Sequence, residues 1–211
     1  MKKIVSPFDK EIEEFSFLAA DYIRLLENVT NFSKRDFLFA LHKILPSIYL
    51  SIISIPLQEN QSDDFSGKYV TEEAWDKIQQ SIAAKIGQHN SYLDVFDPTI
   101  QDQEMPVAAD ISDHLSDIYQ DLKDFYVLFN IGNEVSVISA FNECKQNFET
   151  YWGQKLVNVL RAIHCLCYGA EDLSDEAEEK DTPAQQTKTD TSSWFISQRK
   201  RDFFNDEISF S

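Results

Sequence analysis

The chain has 211 residues, 43% of them hydrophobic and 26% charged, enough for one domain whose core takes roughly 70% of the unfolded surface out of water. Five glycines against sixteen phenylalanines argue against a glycine-loop nucleotide fold or a turn-rich β-sandwich and favour helices. A formal charge of −17 disfavours nucleic acid and anionic membrane as partners, because like charges repel within a Debye length.

The first helix is predicted from about Pro7 to about Glu27, with Ser6 as N-cap and proline at the first helical position. Phe8, Ile12, Phe15, Ala19, Tyr22 and Leu26 alternate at four and three residues and share one face. Asp9, Glu11, Glu13 and Glu14 stand where a signal peptide needs its apolar run, so a cytoplasmic location is expected. Ser33-Lys34-Arg35-Asp36 resembles a capping box and opens the most apolar stretch, Phe37 to Ile55. Its length approaches that of a membrane span, but Lys43, Ser47, Ser51 and Ser54 form a polar stripe along it that lipid would not require. A core helix, bent near Pro46, is the expectation.

After an exposed connection over residues 56 to 70, Thr71 caps a third helix with Glu72 and Glu73 in its first turn. Trp75, Ile78, Ile82 and Ile86 mark the buried face of that helix, and Gly87 stops it. Tyr92 to Pro98 reads as a short extended piece. A fourth helix is predicted from about Pro106 to Asp110 onward, with Ile111, Leu115, Ile118, Leu122, Phe125 and Phe129 on one face. The last helical region, residues 134 to 168, carries Ile138, Phe141, Phe148, Trp152, Val159 and Ile163, and reads as one long bent helix with a weak point at Gly153. Trp75, Trp152, Phe148 and Tyr151 are expected in the core. Cys144, Cys165 and Cys167 fall on that same helix and are expected as reduced thiols, since C-x-C is not a zinc pattern. The fold class is therefore all-α, an up-and-down bundle of five or six helices over residues 1–168. Residues 169–190 hold eight acids and two lysines and are expected to be a disordered acidic linker, followed by an aromatic-basic peptide at 191–211.

Three sets of residues carry a likeness to a known family: Tyr92-Leu93-Asp94-Val95-Phe96-Asp97-Pro98, then Ala109-Asp110 through Asp117-Ile118-Tyr119-Gln120-Asp121-Leu122-Lys123, then Trp152-Gly153 with Leu160-Arg161-Ala162-Ile163-His164. Together they resemble a bacterial family classed as a domain of unknown function, number 5063 in that series. The resemblance spans roughly residues 8 to 168 and implies a helical bacterial protein. It attaches no activity, cofactor or catalytic residue.

Between Asp94 and Asp124 lie nine acids and one base, Lys123. On the fourth helix Asp113, Asp117 and Asp121 recur every four residues, so their carboxylates line one face and repel unless a cation or basic group screens them. With Asp110 and His114 they offer hard oxygen ligands plus an imidazole, a set that would suit magnesium or manganese in a metal-dependent phosphohydrolase. The plainer alternative is a solvated face opposite the apolar stripe, to which a protein partner could bind. His42, His89, His114 and His164 are scattered, and no nucleophile motif or phosphate loop is present. No cofactor is expected. The favoured function is a non-enzymatic interaction or adaptor protein using the face of Asp110, Asp113, Asp117 and Asp121. Its second contact is a tethered docking peptide carrying Trp194, Phe195, Arg199, Lys200, Arg201, Phe203 and Phe204, received by another protein or by its own bundle.

Overall fold

The structure, a computed structural model, describes residues 7–57, 67–94, 107–131 and 134–174. Among the described residues six α-helices follow in order: α1 (Pro7–Glu27), α2 (Lys34–Ser54), α3 (Glu72–Ile86), α4 (Ile111–Ile131), α5 (Glu134–Asn147) and α6 (Gly153–Tyr168). Strands β1 (Ser91–Asp94) and β2 (Val107–Asp110) form a small antiparallel pair between α3 and α4, with Ser91 opposite Asp110 and Asp94 opposite Val107. The fold is an all-α bundle, as expected. Ser6 and the segment from residue 175 onward, including the docking peptide, lie outside the described residues.

The axis of the bundle is α4, which packs against α1, α3, α5 and α6, while α2 lies along α1 and α6. The α4 residues with the strongest helical repeat, Ile111, Leu115, Ile118, Leu122 and Phe125, are buried as predicted. So are Ile12, Phe15, Ala19, Tyr22 and Leu26 of α1. Phe15, Phe125 and Phe141 join three helices through ring pairs at 5.2, 5.8 and 6.1 Å, in edge or tilted geometry. Such pairs add about 0.5–1.5 kcal/mol each beyond area burial. The buried Tyr22 hydroxyl donates to the Leu115 carbonyl at 2.8 Å, so no polar atom of that ring is stranded in the α1–α4 seam.

Local signals fix most boundaries. Ser33 accepts the Asp36 amide at 3.1 Å and Thr71 accepts that of Ala74 at 3.2 Å, each filling an orphan donor of its helix. Gly87, at φ +63°, ends α3 in the left-handed region that a side chain disfavours. The start of α4 lies just past the expected range and is capped from outside the helix. Residues 107–110 pair with β1, and the cap comes from Asn90 across the chain: its side-chain oxygen accepts the Ser112 amide at 3.0 Å and its carbonyl accepts that of Ile111 at 2.8 Å. With an external cap available, the helix begins at Ile111, one residue beyond the expected range of Pro106 to Asp110.

α2 continues through Pro46, and its inner face, including Phe37, Leu41, Ile44, Ile48 and Ile52, is buried. It is the described helix that is long and apolar enough to cross a membrane. Its C-terminus is closed by the buried Lys145 of α5, whose ammonium donates to the carbonyl of Ile52 at 3.0 Å and to that of Ile55. α5 and α6 form one continuous helical run, joined by a π-helical turn at Phe148–Trp152. Gly153 follows it because its amide bonds the Phe148 carbonyl, and a Cβ there would stand 2.4 Å from that oxygen. The glycine of the W-G pair is thus a steric requirement of the turn.

Candidate functional site

The aspartates of α4 do not form a solvated face. Asp121 and Asp124 are buried, and Asp113 and Asp117 are half-buried under α3, the π-turn and α6. The elements opposite them bring donors. Asp113 accepts Gln79 Nε2 at 2.9 Å, and Asp121 accepts Asn147 Nδ2 at 2.5 Å. Asp117 takes three: Trp75 Nε1 at 3.1 Å, the Tyr151 hydroxyl at 2.9 Å and the Lys155 ammonium. Asp124 accepts the amides of Tyr69 and Val70 at 2.7 and 3.0 Å, with Lys68 nearby bridging it and Glu143. Asp110, at the end of β2, accepts the Ser91 hydroxyl at 2.5 Å.

Protein donors therefore screen the mutual repulsion that the four-residue spacing implies. The row is a seam between elements. Ser112 and Ser116, wholly buried on the same helix, show how closely the neighbours approach. Tyr151 is correspondingly no core residue: it is 48% exposed, with its hydroxyl turned to Asp117, and Trp75 is half-buried, whereas Phe148 and Trp152 are buried as expected. The aromatic spacing could not distinguish a ring that packs from one that carries a donor to a carboxylate.

Around Asp117 the polar groups are continuous. Lys155 also contacts the Tyr151 hydroxyl at 2.8 Å and lies over that ring. His114 Nδ1 meets the Tyr92 hydroxyl at 2.6 Å, and Asn158 donates to Asp94 at 2.7 Å, fastening β1 to α6. Burial and the nearby Lys155 charge lower the His114 pKa, against the opposing pull of Asp94, Asp117 and Asp113, so its imidazole is neutral at pH 7. Burial raises the pKa values of Asp121 and Asp124, although Asn147 and the Tyr69 and Val70 amides respectively pull against it. Among the described residues, no group of three or more His, Cys, Asp or Glu side chains converges to hold a metal ion. Asp110, Asp113, His114, Asp117 and Asp121 thus lie along one seam without meeting at one point.

Two features were not singled out from the sequence. On the outside of α2, Pro46, Leu50 and Ile53, spaced four and three residues apart, are exposed, and Leu57 continues them just past the helix end. Leu50 is 64% and Ile53 49% exposed. The polar stripe lies beside them, and Ser47 and Ser54 bond the α2 carbonyls of Lys43 and Leu50. Elsewhere, His42 of α2 and His164 of α6 face each other with ring nitrogens 3.1 Å apart.

No curated protein matches the chain. Among solved structures, protein BF1032 from Bacteroides fragilis is similar at a TM-score of 0.68 and 33% identity, over 78% of this chain and 96% of that one. The profile of the family described as "Domain of unknown function (DUF5063)" matches residues 6–169. With its helical bundle, its W-G turn and that match over most of its length, the chain belongs to the DUF5063 family.

Proposed function

We propose that the chain is a non-enzymatic interaction or adaptor protein whose recognition surface is the outer face of α2. The observation that carries this reading is the apolar row Pro46, Leu50 and Ile53, extended by Leu57, exposed among the described residues on a helix whose other face is core. The aspartate row, by contrast, is engaged from within by Gln79, Trp75, Tyr151, Lys155 and Asn147, and offers a ligand little. Burying one leucine or isoleucine side chain is worth roughly 1.5–3 kcal/mol, so a few of them make a sufficient anchor for a peptide.

The occupant is the chain's own aromatic-basic segment, Trp194 to Phe204. It supplies Trp194, Phe195, Ile196, Phe203 and Phe204 for the apolar row, and Arg199, Lys200 and Arg201 are drawn to a chain of net charge −17. The last described residues lie near the start of α2, where Tyr168 packs on Phe39 and Leu173 is buried. Leu50 is about 24 Å along the helix from Lys34, and the nineteen residues between Ser174 and Trp194 reach up to about 60 Å. A partner presenting the same aromatic-basic chemistry would compete for this surface.

Hydrogen exchange on the full chain, with and without Leu50→Asp plus Ile53→Asp, tests the proposal. Amides of residues 194–204 should be protected in the parent and exchange freely in the variant, with helix content unchanged because both positions are exposed. Sedimentation velocity separates docking in the same chain from docking between copies. Equal exchange in the two proteins overturns the proposal.

A further inference from the structure

We propose that His42 and His164 form a site for one divalent transition-metal ion of the zinc, nickel or copper class, clipping α2 to α6. His42 Nε2 and His164 Nδ1 are 3.1 Å apart. Two nitrogens on one zinc at about 2.0–2.1 Å lie about 3.3–3.4 Å apart at a tetrahedral angle and about 2.9 Å apart at a right angle. The observed separation falls between these values, so both rings can bind one ion with shifts of a few tenths of an ångström. Without metal, the two nitrogens share one proton, which one ring donates and the other accepts. An ion taking the place of that proton leaves both nitrogens ligated.

The surroundings suit this exchange. His164 is exposed and His42 half-buried, so the pair opens to solvent. Tyr168 packs on both rings, at 5.3 Å from His42 and 4.9 Å from His164, and Phe39 holds Tyr168 at 5.9 Å, which limits swing of the imidazoles. Burial, the facing His164 and Lys43 lower the proton affinity of His42, favouring the neutral form that binds metal. Among the described residues Lys43 acts on His42 and Arg35 stacks on Phe39, cations that oppose a metal ion locally, while the net charge of −17 attracts one from a distance. Imidazole pairs prefer zinc, nickel and copper to magnesium or calcium. No third described side chain converges on the pair, so the remaining positions belong to water or an incoming ligand.

Calorimetric titration of the full chain with Zn²⁺ and Ni²⁺ tests the site, with Mg²⁺ as the hard-ion comparison. One equivalent should bind, and His42→Ala and His164→Ala should each weaken it by about tenfold or more, as loss of one of two ligands requires. Cys165→Ser, next to His164, should leave binding unchanged. Zn²⁺ should raise the melting temperature of the parent but of neither histidine variant, and the electron paramagnetic resonance spectrum of the Cu²⁺ form should show coupling to two nitrogens. Absence of binding, or the same isotherm in both histidine variants, overturns the assignment.

Discussion

Replacing Asp117 with alanine removes the one acceptor shared by Trp75 of α3, Tyr151 of the π-turn and Lys155 of α6. Breaking a fully buried ion pair costs about 3–5 kcal/mol, and an exposed one is worth roughly 0–1 kcal/mol. With the side chains of Asp117 and Lys155 at 15% and 24% exposure, the pair lies between these limits, near 2 kcal/mol. The indole and hydroxyl left behind are within reach of water and add roughly 1 kcal/mol together. The expected loss is therefore about 3 kcal/mol, read as a lower urea midpoint at unchanged slope. Asp117→Asn keeps an acceptor but not the charge and should lose about half as much. A double-mutant cycle with Lys155→Met should return a coupling of about 1–2 kcal/mol. The pair also carries a pH signature. Burial pulls the Lys155 pKa down, but the bonds to Asp117 and Tyr151 more than offset this and leave it raised. The stability it contributes is present below the ordinary lysine pKa and is lost as pH rises through the raised value, a loss that Lys155→Met should abolish. A loss under about 0.5 kcal/mol for Asp117→Ala, the range of a surface change, or no coupling in the cycle, would show that the row is a solvated face after all.

Two further substitutions probe other parts of the fold. Gly153→Ala places a methyl group 2.4 Å from the Phe148 carbonyl and 3.0 Å from its ring, and should cost about 1–3 kcal/mol in urea unfolding; an unchanged midpoint would mean that the turn relaxes freely. Asp121 has a raised pKa, chiefly through burial, so its stabilising contribution is greatest below the ordinary aspartate value and falls as pH rises through the raised one. Asp121→Asn, which can keep an oxygen for Asn147, should be neutral or stabilising by up to about 1 kcal/mol at pH 7 and flatten stability against pH in the mildly acidic range; a large loss at pH 7 would contradict this.

The helices were legible because their signals are local. Ser33, Thr71 and Gly87 act within a turn of their own positions, and the apolar repeats name faces that are buried from Ile12 to Leu26 of α1 and from Ile111 to Phe125 of α4, with Phe129 half-buried at the end. The partners of those faces were not legible. A four-residue repeat of aspartates says that they share a side of α4, but whether that side meets water depends on Trp75, Tyr151 and Lys155, which are 34 to 42 residues away in sequence. Ser112 and Ser116 were the available hint, since two small residues at helical spacing permit a close neighbour. His42 and His164 stand 122 positions apart and meet only because α2 lies along α6. Nothing local to Lys145 marks it as buried, and only the end of α2 arriving beside it explains its burial.

The five residues Phe148–Trp152 also act as a phase shifter for the end of the chain. Their wider turn holds one residue more than an α-turn would, so every side chain of α6 points about 100° away from where an uninterrupted helix would aim it. Deleting a single residue there would leave all helical hydrogen bonds available, yet swing Leu156, Val159 and Ile163 out of the core and Lys155 away from Asp117. It would also part His164 from His42 and Asn158 from Asp94. Length in this stretch is thus constrained more tightly than composition: substitutions perturb one contact each, whereas a one-residue deletion rotates a sixteen-residue helix as a block.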